Sequence, residues 1–218
     1  MIDLKPPPKA SEDEEAVRGW SGVHLDPSGA SEAHRIGKAI RGRGIGMFIS
    51  SDLPRAAETA EILAKESGAP LITKTPDLRT WGLGELEGSG LKDSQRIIRY
   101  YLAHPNEAPK HGESANQFTR RSIQKVRQIR DVSMRNNVII GVVTHHWVVT
   151  LIELWVKSGS PDHFNFDRSR LLDMHEDPPG TLYDMRLEKG KWVMPKVPPG
   201  TEFHPGPVII RHEETKMN

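Results

Sequence analysis

Two histidines in this chain stand at the ends of apolar, β-forming runs. VIIRH, residues 208–212, ends in Arg211-His212, and VVTH, residues 142–145, ends in His145. Imidazole can serve as nucleophile, base or hydrogen-bond donor near neutral pH. Arginine presents a planar fork of donors that matches the oxygens of carboxylate or phosphate. In open α/β sheets, ligands bind beyond the carboxyl ends of strands, so two such ends point to one shared site. Arg55, just after Pro54, adds a second guanidinium at the start of a predicted helix. Taken singly, each has an ordinary reading: a surface arginine, or a core histidine with its hydrogen bonds satisfied. The chain has no cysteine, which removes thiolate nucleophiles, thiolate metal sites and disulfides. His145 and His146 would project to opposite faces of an extended segment and make a poor chelate, so no metal site is expected.

The elements that must position these groups follow from periodicity and from helix start and stop signals. A helix is expected after Pro27-Ser28, with Ala30, Ala33, Ile36 and Ile40 on one side, ending in RGRGIG. MFISS (47–51) reads as a short buried strand, and 54–67 as a helix with proline in its first turn. LIT (71–73) is another strand, and helices follow over about 92–104 and from Glu113-Ser114 onward. NVIIGVVT (137–144) is apolar on both faces, as a central parallel strand should be. A further helix follows His145. TLYDMRL and KWVMP, separated by Glu-Lys-Gly, predict a hairpin, and VIIRH predicts a last strand. Strands alternating with helices argue for a mostly parallel sheet covered on both faces. GRGIGM resembles a dinucleotide loop only superficially, because it precedes a strand instead of following one.

At 218 residues the chain can bury one large core, and its formal charge of +1 gives no global attraction to nucleic acid. One basic run, RRSIQKVRQIRDVSMR (120–135), carries Ile123, Val126, Ile129 and Val132 at helical spacing. Its basic residues then read as a solvated face, or as a surface drawing an anionic substrate. No apolar run is long enough to span a membrane. The polar, proline-rich residues 1–15 read as a flexible arm without a secretory signal, and 16–218 as a single domain placed in the cytoplasm.

Beyond the two strand ends, the chain carries Gly19-Trp20, SDLPRAAETA (51–60), GELEG (84–88), GES (112–114) and VVTH (142–145). In this order they resemble the motifs of the histidine phosphatase (phosphoglycerate mutase-like) superfamily. That family opens with R-H-G-x-T-x-x-N, whereas here the similar stretch is RHEETKMN at 211–218. The resemblance implies a three-layer α/β/α fold with a mostly parallel central sheet, circularly permuted, in which PPGTEFHPGP joins the ancestral ends.

The resemblance also implies roles. His212 would attack phosphorus in line and form a phosphohistidine that water then cleaves. Arg211 and Arg55 would hold the phosphoryl oxygens, His145 would donate another hydrogen bond, and Thr215 and Asn218 would contact phosphate or substrate. It implies no metal and no organic cofactor, and a small phosphorylated substrate or phosphopeptide as partner. A phosphomutase and a phosphate-binding module without turnover are the alternatives.

Three positions depart from the family pattern. Thr80 stands where a glutamate is expected to protonate the leaving oxygen, and threonine cannot do so at useful pH. Glu85 or Glu87 would have to substitute, or the leaving group would need no proton. Glu213 and His146 replace glycines after the two catalytic histidines. They either pair with each other or turn separately into solvent.

Overall fold

The structure is a computed structural model that describes residues 9, 15–159, 167–172, 180–197, 203 and 206–211. Five strands form one sheet in the order β2-β1-β3-β7-β4: β1 (Ile45–Ser51), β2 (Leu71–Thr75), β3 (Ile139–Thr144), β4 (Leu182–Asp184) and β7 (Pro207–Arg211). The pairs β1/β2, β1/β3 and β3/β7 are parallel, and β4 closes one edge antiparallel to β7. Helices α1 (Pro27–Ile40), α2 (Pro54–Ser67), α3 (Leu91–Ala103), α4 (Ala115–Asn136) and α5 (His146–Lys157) cover the sheet.

Alternation along the central strands sorts the two faces. Ile140, Val142 and Ile209 pack with residues of α3, α4 and α5 in one core cluster. Phe48, Val143, Val208 and Ile210 pack with Ile36 and Ile40 of α1 and Ala56, Ala60 and Leu63 of α2 in the other. This is the expected three-layer arrangement. Each fully buried Val or Ile of β3 and β7 contributes about 1.5–3 kcal/mol of apolar burial. At Gly141 the packing is close enough to require glycine, since a Cβ there would lie 2.4 Å from the ring of its cross-strand neighbour Phe48.

α2 begins with Pro54 at its first turn and ends at Gly68 in the left-handed region, as its sequence predicts. α4 starts with a capping box: Gln117 N donates to Ser114 Oγ at 3.2 Å, and Ser114 N donates to Gln117 Oε1 at 2.8 Å. The serine of GES is therefore a helix cap.

Two expectations need correction. TLYDMRL is not one hairpin strand. It breaks at the buried Met185, whose amide donates to Pro207 O at 3.0 Å, so β4 joins the main sheet. Only β5 (Arg186–Glu188) pairs with β6 (Lys191–Val193) as a hairpin. Along α4, Ile123, Val126 and Ile129 are buried, but Val132 is exposed near the helix end. Among the described residues no helix is long and apolar enough to cross a membrane.

Candidate active site

β1, β3 and β7 run parallel, and their carboxyl ends lie together. Register places Ser50 beside Val143 and Thr144 beside Arg211. Arg211 thus lies beside the residue that precedes His145. The description of Arg211 stops at its backbone. His212, Glu213, Thr215 and Asn218 lie outside the described residues, so the roles implied for them and the Glu213–His146 pair are not addressed by the fold.

His145 is 1% exposed and caps the start of α5 in an extended conformation. Its Nε2 is 2.8 Å from Ser51 Oγ at the end of β1. Ser51 Oγ also accepts from Leu53 N at 3.3 Å, which ties the imidazole to the turn leading into α2. Arg55, in the first turn of α2, is 2% exposed, so the reading of it as a surface residue fails. Its guanidinium donates to Gly19 O at 3.0 Å and to Ser21 O at 3.1 Å. Burying a guanidinium is costly unless its donors are met. These carbonyls fix the plane of the fork and tie the Gly19-Trp20 segment to α2. His145, at the end of β3, meets Ser51 at the end of the neighbouring strand β1, and Arg55 lies four residues after Ser51 in the first turn of α2.

The segment 76–83 packs against the ends of β1 and β3 and is held mainly by side-chain donors. Thr144 Oγ1 donates to Leu78 O at 2.8 Å. Arg121 of α4 donates to Asp77 O at 3.0 Å, Arg79 O at 2.7 Å and Thr80 O at 2.7 Å, and pairs with the Glu113 carboxylate. Glu113 accepts from Gly82 N at 3.0 Å, and Trp81 Nε1 donates to Glu113 O at 2.9 Å. Arg79 makes a bidentate pair with Asp52, at 2.7 and 2.6 Å. The Arg79 guanidinium, by direct hydrogen bonds first, holds the Asp52 carboxyl below the ordinary carboxylate range. Trp81 is buried, stacked on Phe118 and tilted against Trp147.

These contacts revise the reading of the basic run. Arg121 faces inward, and Arg130 lies over the rings of Trp192 and Trp155. Neither belongs to a solvated helix face. Both were hidden in the sequence because a helical pattern marks the apolar side without showing which long cations fold back. The eight-residue interval from Glu113 to Arg121, about two helical turns, is the one signal that a pair was available.

The two carboxylates considered as replacement acids have other surroundings. Glu87 Oε1 accepts from Trp20 N at 2.9 Å and Leu83 N at 3.1 Å, so it splints the loop. Glu85 is half-buried near α3, where burial first and the charge of Glu85 second push the Tyr101 phenol up. Among the described residues, no group of three or more His, Asp or Glu side chains is arranged to hold a metal ion. A separate cavity of about 810 Å³ opens between the carboxyl end of α5 and the β5–β6 hairpin, and shares no residue with this site.

With this geometry in view, a family model described as the histidine phosphatase superfamily (branch 1) matches residues 9–193. The chain belongs to that superfamily. It is 33% identical over 134 residues to a metal-independent phosphoserine phosphatase of Arabidopsis thaliana, covering 59% of this chain and 54% of that one. It is 32% identical over 110 residues to a probable phosphoglycerate mutase of Yersinia pestis, covering 48% and 51%. The chain thus spans about half the length of these curated relatives. In fold it is similar to the mycobacterial glucosyl-3-phosphoglycerate phosphatase, with a TM-score of 0.63 at 17% identity, covering 84% of this chain and 92% of that one. The family match ends before β7, although β7 lies between β3 and β4 in the same sheet.

Proposed function

We propose that this chain hydrolyses a phosphate monoester through a phosphohistidine at His212. What supports this reading is that buried Arg55 and buried His145 follow the carboxyl ends of the adjacent parallel strands β1 and β3, and that β7 ends with Arg211 beside Thr144. In the proposed reaction, an imidazole nitrogen of His212 attacks phosphorus as the phosphorus–oxygen bond to the leaving group breaks. Water then attacks phosphorus, the phosphorus–nitrogen bond breaks, and inorganic phosphate leaves. Arg211, Arg55 and His145 donate to the equatorial oxygens, where charge accumulates in transit. Thr215 and Asn218 complete the phosphate side. No step calls for a metal.

The same proposal includes a circular permutation. The motif series follows the family order when read cyclically, and the strand carrying Arg211 comes last in the chain yet runs parallel to β3 in the middle of the sheet. The lost acid at Thr80, together with the splinting use of Glu87, favours a substrate whose leaving group departs without a proton. It also supports the rival reading, a phosphate-binding module with little turnover.

The test is turnover of matched alkyl, aryl and acyl phosphates by the wild-type chain and by His212→Ala. Aryl and acyl phosphates should turn over faster than the alkyl ester, a labelled phosphoenzyme should form, and both should vanish in the variant. Binding of phosphate without turnover of any of the three would favour the module. Turnover that survives His212→Ala would remove the phosphohistidine.

A further inference from the structure

We propose that Trp20 is the specificity-determining wall of the leaving-group side, and that the substrate class is aryl phosphates. This deepens the phosphatase reading above and rests on it.

Trp20 is held from two directions. The carbonyls on either side of it, Gly19 O and Ser21 O, both accept from the Arg55 guanidinium. Its indole Nε1 donates to Thr80 O at 2.8 Å, at the position that lacks the acid. Trp20 is therefore held between the proposed phosphate-binding arginine, at its flanking carbonyls, and the backbone of Thr80, at its indole N–H. Its backbone amide is fixed by Glu87. One side of the ring lies so close to Gly82 that a Cβ there would come within 2.7 Å of it. Even so, Trp20 remains 36% exposed, whereas Trp81, one residue from Thr80, is fully buried.

A tryptophan fixed at its amide, its indole N–H and its underside has little rotamer entropy left to lose. An open aromatic surface in that state is a preorganised stacking partner. The charges around it narrow the class. The Arg79 and Arg121 guanidiniums lie 5.2 and 5.7 Å from the ring centroid, but each is paired with a carboxylate, Asp52 and Glu113. The two guanidiniums over the ring are therefore both neutralised. The ring offers a planar apolar group an aromatic contact and gives a carboxylate-bearing group, such as a phosphoglycerate, little to recognise. An aryloxide also suits the missing acid, because its conjugate acid titrates near 10, as the tyrosine phenol does.

Binding and turnover separate this inference from the reading beneath it. Calorimetry with phenylphosphonate and methylphosphonate, neither of which can be hydrolysed at a phosphorus–carbon bond, should show about three- to tenfold tighter binding of the phenyl compound, the span expected of one aromatic pair. Trp20→Leu keeps apolar bulk but has no π face, and should abolish the preference. Trp20→Phe keeps the face without the N–H and should restore most of it. In turnover, the phenyl-to-acetyl phosphate ratio of kcat/KM should fall by the same factor in Trp20→Leu, mainly through KM, and be largely recovered in Trp20→Phe. Equal binding of the two phosphonates by the wild type would overturn the proposal. So would a preference that survives Trp20→Leu, or one that Trp20→Phe fails to restore. A phenyl preference that depends on Trp20 without hydrolysis of any phosphate would leave the wall standing and end the phosphatase reading.

Discussion

On one side of the site, Arg55 and His145 emerge from the first turn of α2 and the end of β3, positions that regular secondary structure fixes. On the other side, Thr80 and Trp20 sit on segments without helix or strand, and Arg121, Glu113, Glu87 and Arg79 hold those segments in place. Backbone in such a segment leaves carbonyls without partners of its own, so donors from α4, from the end of β3 and from Trp20 supply them. A residue on the first side can be changed with its element intact. A residue on the second side defines the wall by supporting it, so its loss should appear in stability before it appears in chemistry.

The harshest way to break this contrast removes the strand common to both sides. Deleting residues 207–218 takes away β7, the parallel neighbour of β3 and the partner of β4, along with three fully buried residues, Val208, Ile209 and Ile210. Cooperative thermal unfolding, followed by circular dichroism, should disappear. A truncated chain that still melts cooperatively near the wild-type temperature would show that β7 is dispensable to the core.

The second largest effect should fall on the 76–83 segment. Arg121→Met strips donors from four carbonyls, those of Pro76, Asp77, Arg79 and Thr80, and leaves the Glu113 carboxylate without its guanidinium. Breaking such a pair from one side costs about 3–5 kcal/mol. Denaturant titration measures this directly. Adding Glu113→Gln should give a double variant less unstable than the sum of the singles, since the stranded charge is gone. Additive losses would mean that the two residues act separately.

Arg55→Ala tests the opposite side. It should raise the barrier to phosphoryl transfer by about 2–4 kcal/mol, as the loss of an oxyanion donor does. Arg55→Lys should recover only part, because one ammonium cannot reach both Gly19 O and Ser21 O and also present a fork. Steady-state kcat/KM on an aryl phosphate is the measurement. Full recovery by lysine would show that charge alone matters there.

The same contrast explains what the sequence disclosed. Helix starts at Pro27 and Pro54, the GES cap at Ser114, and the apolar runs of β1, β3 and β7 are local signals, and local physics decided them. Arg55 and His145 sit at the ends of those elements, and their positions were legible with them. Arg121, Arg79 and Trp20 were not: apart from Glu113, eight positions before Arg121, the partners that place them lie 27 to 67 positions away, and those that are carbonyls have no side-chain identity to read. TLYDMRL was misread for a similar reason. Whether a short apolar run pairs with its neighbour or with a strand far along the chain is decided by the edge that β7 leaves open for β4.

A smaller gain of function sharpens the comparison at Thr80. Thr80→Glu restores a carboxyl at the family position, and turnover of an alkyl phosphate should rise several-fold relative to an aryl one. The backbone there is already fixed, since Thr80 O accepts from both Trp20 Nε1 and Arg121. The new side chain therefore inherits a defined starting direction. An unchanged alkyl-to-aryl ratio would mean that this direction misses the leaving oxygen.

The smallest expected effect concerns the ion pair that joins the two sides. Asp52 follows the serine that meets His145, and Arg79 precedes Thr80, so their bidentate contact links the turn after β1 to the 76–83 segment. The folded protein holds the Asp52 carboxyl below its ordinary value of 3.8, through hydrogen bonds from Arg79 first. A carboxyl whose pKa is depressed on folding contributes stability above its unfolded pKa and loses it as pH falls through the folded one. The pair should therefore stabilise the protein fully near neutrality and progressively less as pH drops below about 4. Both side chains are roughly a quarter exposed, so solvent screens the contact and its worth is about 1 kcal/mol or less. Asp52→Asn lacks the titration, so its deficit against wild type should be present at pH 7 and shrink toward zero in acid. Unfolding free energies measured for both chains from pH 7 to pH 3 would show the two curves converging. Parallel curves would mean that Asp52 does not carry the link. The wall would then rest on Arg121, Glu113, Glu87 and Thr144, and acid would leave the Trp20-dependent phenyl preference unchanged down to the pH at which the Asp52–Arg79 pair could have mattered.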